Sequence, residues 1–429
     1  MAALVSREFL LLLLARAFHV RRSEMSRVIR MSGLAVVLGW GMYCAFNVTQ
    51  AIFLVQSGPE AYPLFFILLA LTVWPAVALQ GALVRRFGVG RAFRYNLLAN
   101  ALIPVPVFLV YKIAENQAGV AFAVYILYSV AFELVMLLFW AFVSQHFNLL
   151  EGKRIYPVIA AGSSVGYILS GLTTTLLSPV TGPEPLLFFW GLGAGMSGLI
   201  VYTTERRLYR PAVEEEADEF AVATQQQRQG GRLFALVDAL RYLRSSRLVL
   251  AFVVMAGLLI VSMRISDYLV AVVFVDVTHR HLAELSVLIG NAWLISYVVQ
   301  LLLALVVTPF LLNRAGVKNV ILALPAAAAT GFLAVALLPG LASAMFLFVI
   351  RNGLETGVDD PAQQLLGSAL PAQVTPKLKL LLDDFALPGA AILAGLFCGA
   401  LGLVAPHANL TILLAVAGVA LSIFFLAAA

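Results

Sequence analysis

Apolar and polar residues fall along this chain in long blocks. Apolar runs long enough to cross a bilayer, about 20 residues each, occupy roughly residues 31–54, 62–84, 93–112, 119–143, 155–177 and 185–204. A polar segment, 205–247, interrupts them. Six more follow, roughly 248–273, 285–312, 319–339, 341–358, 384–404 and 408–428, with the closest pair meeting at Pro339. Blocks of this length predict an all-α, polytopic membrane protein of twelve transmembrane helices in two six-helix bundles. The expected divisions are an amphipathic N-terminal segment 1–30, a first bundle 31–204, a linker 205–247 and a second bundle 248–429.

Composition agrees: 62% of residues are hydrophobic and 12% charged, against about 25% charged in soluble domains. The net charge of +6 is no nucleic-acid signal, because the basic residues sit in short loops between apolar spans. Of 28 Lys and Arg, only Lys112 and Arg280 fall at loops on one side, and, away from the span ends, only Arg264 and Arg351 within spans. The positive-inside rule then puts both termini in the cytoplasm, and the expected location is the inner (cytoplasmic) membrane. Cys44 and Cys398 lie in spans and imply no disulfide framework. Near the N-terminus, the apolar run 9–15 and Ala15-Arg16-Ala17 mimic a signal peptide. The basic residues Arg21, Arg22, Arg27 and Arg30 that follow favour a helix lying on the cytoplasmic surface.

The linker carries an acidic run at 214–219 and then three glutamines, the composition of a solvated connection. Asn96, Asn100 and Asn291 are read as helix-to-helix hydrogen bonds, and Trp140 as an interfacial anchor. Gly191, Gly193, Gly195 and Gly198 are read as close-packing positions. His279 and His281, near Asp276 and Glu284, are read as an ordinary solvated loop. The chain has no P-loop, dinucleotide fingerprint or metal-ligand spacing; the expectation is no enzyme and no cofactor.

Residues 139–172 hold a hairpin in which a polar turn with His146, Glu151, Lys153 and Arg154 leads into a helix rich in Gly, Ala and Ser. Small residues at that density let helix backbones approach closely. Two echoes point to an internal repeat. LVRRFGVGR at 83–91 matches LLNRAGVK at 311–318, and YILSGL at 167–172 matches AILAGL at 391–396, at offsets of 228 and 224 residues. Paired six-span halves are a transporter architecture with the ligand site near the midplane between them.

The loop after span two resembles the signature loop of the major facilitator superfamily, roughly G-x-L-x-D-R-x-G-R. Gly81, Leu83, Arg86 and Gly88 match, while Arg85 stands at the acidic position. In that family the acid contacts the start of span eleven, where this chain has Asp383 and Asp384. The resemblance therefore implies a latch of inverted sign, Arg85 or Arg86 with Asp383 or Asp384. Arg91, Lys153, Arg154 and Arg314 join Gly88 as gating candidates. Phe139-Trp140, Glu151, Lys153-Arg154, Tyr156-Pro157 and Ala161-Gly162, together with residues 360–396, resemble the ATP/ADP translocase (nucleotide carrier) family and its bacterial relatives.

An ionisable side chain at mid-membrane costs roughly 2.5–3.5 kcal/mol even on insertion scales, so its presence calls for a role or a partner. Five such residues occur: Glu133 in span four, Arg264 and Asp267 in span seven, Arg351 and Glu355 in span ten. The facilitator resemblance implies that spans one, four, seven and ten line the central cavity; span one adds Asn47, Thr49 and Gln50. Helical spacing pairs Arg351 with Glu355 and Arg264 with Asp267. That leaves Glu133 as proton carrier, substrate contact or a protonated helix-to-helix bond. The arginines suit an anionic substrate, yet two Arg against three acids sum to −1, which argues against ATP while the resemblance argues for a nucleotide. The expectation is an alternating-access transporter of a small polar or anionic solute, with nucleotide exchange as one substrate class. Proton-coupled movement of another organic solute is a rival, as is a transporter-shaped scaffold that moves nothing. The expected partners are lipid, a small molecule and protons, without nucleic acid, in a monomer.

Overall fold

A computed structural model describes residues 21, 23–147, 149–208, 247–359, 362, 381–382, 386–404 and 407–428. Twelve helices run through them: α1 Met25–Ser57, α2 Tyr62–Phe87, α3 Val89–Ile113, α4 Gln117–Ser144, α5 Leu149–Thr181, α6 Phe188–Leu208, α7 Arg247–Val277, α8 Leu282–Val307, α9 Asn319–Leu337, α10 Leu341–Asp359, α11 Leu387–Val404 and α12 His407–Ala428. Eleven are long and apolar enough to cross a membrane, and α12 holds a shorter apolar stretch, Leu410–Leu426. The chain is a multi-pass membrane protein of two pseudo-symmetric six-helix bundles. Expected spans and observed helices coincide in order and number.

Helix ends differ where polar residues extend a turn beyond the apolar block. α1 already begins at Met25, so Arg27 and Arg30 belong to it. α5 begins at Leu149 and takes Glu151, Lys153 and Arg154 into its first turns. α8 and α10 both end in π-helical turns, Leu303–Val307 and Glu355–Asp359. The helix pair at Pro339 separates cleanly, because α9 stops at Leu337 and Gly340 precedes α10. Most of the N-terminal segment and of the linker, and Asp383 with Asp384, lie outside the described residues.

Both echoes in the sequence have a structural cause. Gly88, between α2 and α3, has φ 79° and ψ 160°; Gly316, between α8 and α9, has φ 75° and ψ 159°. Positive φ favours glycine, and the two turns are the same turn in two halves. The second echo marks the seams between the bundles. A Cβ on Gly171 of α5 would stand 2.7 Å from the Gly290 carbonyl oxygen of α8, and one on Gly395 of α11 would stand 2.6 Å from the Pro63 carbonyl oxygen of α2. The α5–α8 seam also carries hydrogen bonds, from Thr175 Oγ1 to Asn291 Oδ1 at 2.8 Å, Ser286 Oγ to Ser178 Oγ at 3.0 Å and Gln300 Nε2 to Ser164 Oγ at 3.2 Å.

The termini of the two bundles share one face, the terminal face; the opposite end is the distal face. On the distal side one hydrophobic core joins both bundles, including Phe53, Tyr62 and Phe65 with Leu269, Phe274, Phe332 and Cys398. On the terminal side the cores formed by the described residues are separate. One lies within the first bundle around Leu34, Phe93, Phe142 and Ile159, the other within the second around Met263, Leu324 and Val358. Within the first bundle, Gly41 of α1 meets Gly193 of α6 so closely that a Cβ on Gly41 would lie 2.6 Å from the Gly193 Cα and 2.7 Å from the Phe189 carbonyl oxygen. Gly41→Ala is expected to cost about 1–3 kcal/mol through overpacking and to lower the thermal midpoint in detergent. Gly33→Ala on the same helix, with nothing within 4 Å, is expected to leave it level or slightly raised.

Candidate functional site

A cavity of about 360 Å³ lies between the bundles, bounded by α1, α2 and α4 on one side and α7, α8 and α10 on the other. This is near the small end of the roughly 300–1,000 Å³ usual for ligand pockets. All five membrane charges read from the sequence line it, with Gln50. Asn47 does not: it is buried against α5, where its Nδ2 donates to Thr174 Oγ1 at 3.1 Å. Thr49 bonds back to its own helix, at the Ala45 carbonyl.

The charges pair differently from the helical spacing. Arg264 does meet Asp267, at 3.2 Å. Arg351, however, reaches across to the other oxygen of Asp267 at 2.8 Å rather than to Glu355. The Glu355 backbone N–H still bonds the Arg351 carbonyl, so the two residues keep α-helical register; the Arg351 guanidinium turns instead to the carboxylate on α7. One carboxylate thus bridges two guanidiniums and ties α7 to α10. Arg351 also bonds Asn352 Oδ1 at 3.0 Å, and the Arg264 guanidinium lies 5.3 Å from the centre of the Phe66 ring of the other bundle. Glu133, exposed to the cavity, and Glu355 form neither an ion pair nor a hydrogen bond among the described residues.

Aromatic rings make most of the remaining wall, which the sequence reading missed. Tyr125 is stacked between Phe53 at 4.8 Å and Phe65 at 4.4 Å, and this stack closes the distal end. Trp293 stacks on Tyr297 at 5.5 Å and meets Tyr43, Phe46 and Phe348 edge-on. The signal was available. Tyr43, Phe46 and Gln50, like Tyr125, Tyr128 and Phe132, recur at spacings of three, four and seven, the period of one helix face.

The gating candidates are spread over the terminal face. Arg85 and Arg86 end α2, and Arg86 lies over the Phe87 ring at 5.2 Å. Arg91 is exposed on α3, and Arg314 lies over Phe310 at 5.5 Å. Arg154 is paired inside its own bundle, to Glu24 at 3.0 Å, beside a second clamp from Arg27 to Glu151 at 3.2 Å. Burial alone would push the Glu24 carboxyl up, but the Arg21 backbone N–H and the Arg154 guanidinium hold it below the ordinary glutamate value. Burial holds His146 below the ordinary histidine value, with the Arg27 charge adding to it against the hydrogen bond at the Phe142 carbonyl. The side chain of Lys153, and Asp383 and Asp384 with their proposed latch, lie outside what is described.

The asparagines behave as read: Asn100 accepts from Trp190 Nε1 at 2.8 Å, Asn96 donates to Gln80 at 3.2 Å, and Asn291 sits in the α5–α8 seam. Gly191 and Gly193 are close-packing positions against Ala101 and Gly41.

No family model matches the chain, and neither does any curated protein. The structure is similar to that of the nucleoside transporter NupG, with a TM-score of 0.64 and 15% identity over 93% of this chain and 98% of that one. It is similar to the POT family transporter PepTSo, at 0.66 and 12% over 94% and 97%. It is also similar to the inward-open xylose transporter XylE from E. coli, at 0.61 and 14% over 94% and 95%. The chain has the major facilitator fold; at these identities the likeness is one of fold.

The bridge makes a sharp prediction. Asp267→Asn leaves two guanidiniums without their anion, and is expected to cost about 1–3 kcal/mol. That is below the 3–5 of a fully buried pair, because Arg264 and Asp267 keep 33% and 23% of their side-chain surface exposed. Glu355→Gln is expected to change stability by less than about 0.5 kcal/mol. Thermal unfolding of both variants checks this; equal losses would mean that Arg351 depends on Glu355.

Proposed function

We propose that this chain is a secondary carrier that moves a small organic solute by alternating access. The observation that carries this reading is the division of the cores among the described residues: joined on the distal side, separate on the terminal side, with a charged cavity between them. Over the described residues, the two bundles are joined at one end and parted at the other. If the basic terminal face is cytoplasmic, the state is inward-open, the description given to the XylE structure. Rocking the bundles about the α5–α8 and α2–α11 seams would open the distal side instead. The fold neighbours, carriers of nucleosides, peptides and a sugar by their names, support a small solute.

Proton coupling fits the carboxyls better than nucleotide exchange fits the arginines. Asp267 already engages both guanidiniums, so little positive charge is left for a polyphosphate. Glu133 and Glu355 set the sign of the cavity: −1 with both ionised, +1 with both protonated. Glu133 is the better carrier, since it is exposed to the cavity and stands on the opposite bundle from the arginines. The titratable and charged groups facing it are Tyr43 of α1 and Arg264 of α7.

The test is uptake into proteoliposomes of a labelled panel containing nucleosides, sugars, amino acids, ADP and ATP, with and without an inward proton gradient. The expected result is gradient-driven accumulation of a solute other than ATP or ADP. Glu133→Gln should lower that accumulation about tenfold, the equivalent of roughly 1.4 kcal/mol, while gradient-free exchange survives. ATP/ADP exchange that Arg351→Ala abolishes would overturn the substrate assignment. Accumulation by Glu133→Gln equal to the parent's at every pH would overturn the role of Glu133.

A further inference from the structure

The cavity wall is chemically lopsided. On the first bundle, the cavity-lining side chains with an unpartnered polar atom among the described residues offer acceptors. Gln50 donates its Nε2 to the Tyr62 hydroxyl at 2.6 Å, which leaves its Oε1 buried and unpartnered. Glu133 lines the same cavity from α4, next to Phe132, whose ring meets Tyr43, and has both oxygens unbonded among the described residues. Among the cavity-lining residues of the second bundle, the buried unpartnered atoms are donors: Arg264 Nε, Arg351 Nε and Trp293 Nε1. The one acid there outside the bridge, Glu355, lies in the field of both arginines. An N–H left unpaired in a buried wall costs free energy until something accepts from it. The most complementary solute therefore offers donors to one wall and acceptors to the other.

We propose that the cavity selects a zwitterion of amino-acid type, its ammonium toward Gln50 and Glu133 and its carboxylate toward Trp293, Arg264 and Arg351. The rings between the two walls suit an uncharged, ring-bearing or otherwise apolar body. The volume of about 360 Å³ holds the solute near amino-acid to dipeptide size. A polyphosphate fails on both walls: it has no donor for Glu133, and its charge exceeds what a bridged arginine pair can neutralise. Discrimination comes from the buried groups that a wrong solute leaves unpaired, the strongest way a site rejects an analogue. The assignment rests on the carrier reading above for its biological sense, while its test needs binding alone.

The experiment is equilibrium binding to the purified full-length protein. The probes are L-phenylalanine, N-acetyl-L-phenylalanine, which lacks the ammonium, L-phenylalaninamide, which lacks the carboxylate, and adenosine and ADP. L-phenylalanine is expected to bind, and each truncated analogue to bind at least about tenfold more weakly. In Glu133→Gln the penalty for losing the ammonium should shrink while the penalty for losing the carboxylate stays. In Trp293→Phe the reverse should hold. Equal binding of all three phenylalanine probes would overturn the proposal. So would binding of adenosine or ADP alone, or of no probe by protein whose thermal unfolding is cooperative. Zwitterion binding with no flux of any solute would uphold this assignment and sink the carrier reading. Flux of other solutes without zwitterion binding would do the opposite.

Discussion

Asp267 accepts from Arg264 on its own helix and from Arg351 on α10, and much else follows from that double bridge. A lone guanidinium in the middle of an apolar bundle is costly, and two are tolerable here because one carboxylate serves both. The bridge fixes α7 against α10 and leaves Glu133 and Glu355 outside any ion pair among the described residues. Uncommitted carboxyls in a water-accessible cavity can change protonation. A cavity whose charge depends on protonation can bind and release in response to a gradient.

The bridge acts within a frame of two seams and unequal cores. Close approach at Gly171–Gly290 and at Gly395–Pro63 makes the seams thin enough to act as pivots, in keeping with small-residue packing between membrane helices. The shared distal core holds the halves together at one end, with the aromatic stack around Tyr125 as its inner surface. Arg280 and Glu60 add an ion pair between the distal loops of the two bundles, at 3.9 Å. Exposed to solvent, it contributes little, so the distal closure is chiefly apolar.

Much of this was legible in the sequence, because membrane spans are written in long apolar blocks. The twelve helices, the buried charges and the repeat could be read directly, and the two echoes mark a shared positive-φ turn and the two seams. Pairing could not be read. The four-residue spacing of Arg351 and Glu355 is kept, yet the guanidinium turns to a carboxylate on α7, a partner that spacing along α10 does not announce. Asn47 looked like Gln50 because three residues separate them on one helix, yet that step turns Asn47 toward α5. The aromatic wall was missed for a different reason: in a chain this apolar, rings on a cavity and rings in a core give the same pattern.

The measurement closest to the central claim is a pair of distances between spin labels in reconstituted protein. One pair would sit on distal loops, at Glu115 and Pro339, the other on the terminal face, at Arg91 and Arg314. If the bundles rock about their seams, each pair will show two populations, and a change of pH or a bound solute will lengthen the distal distance as it shortens the terminal one. Distances that stay fixed under all such conditions, or that lengthen together, would contradict alternating access in this protein.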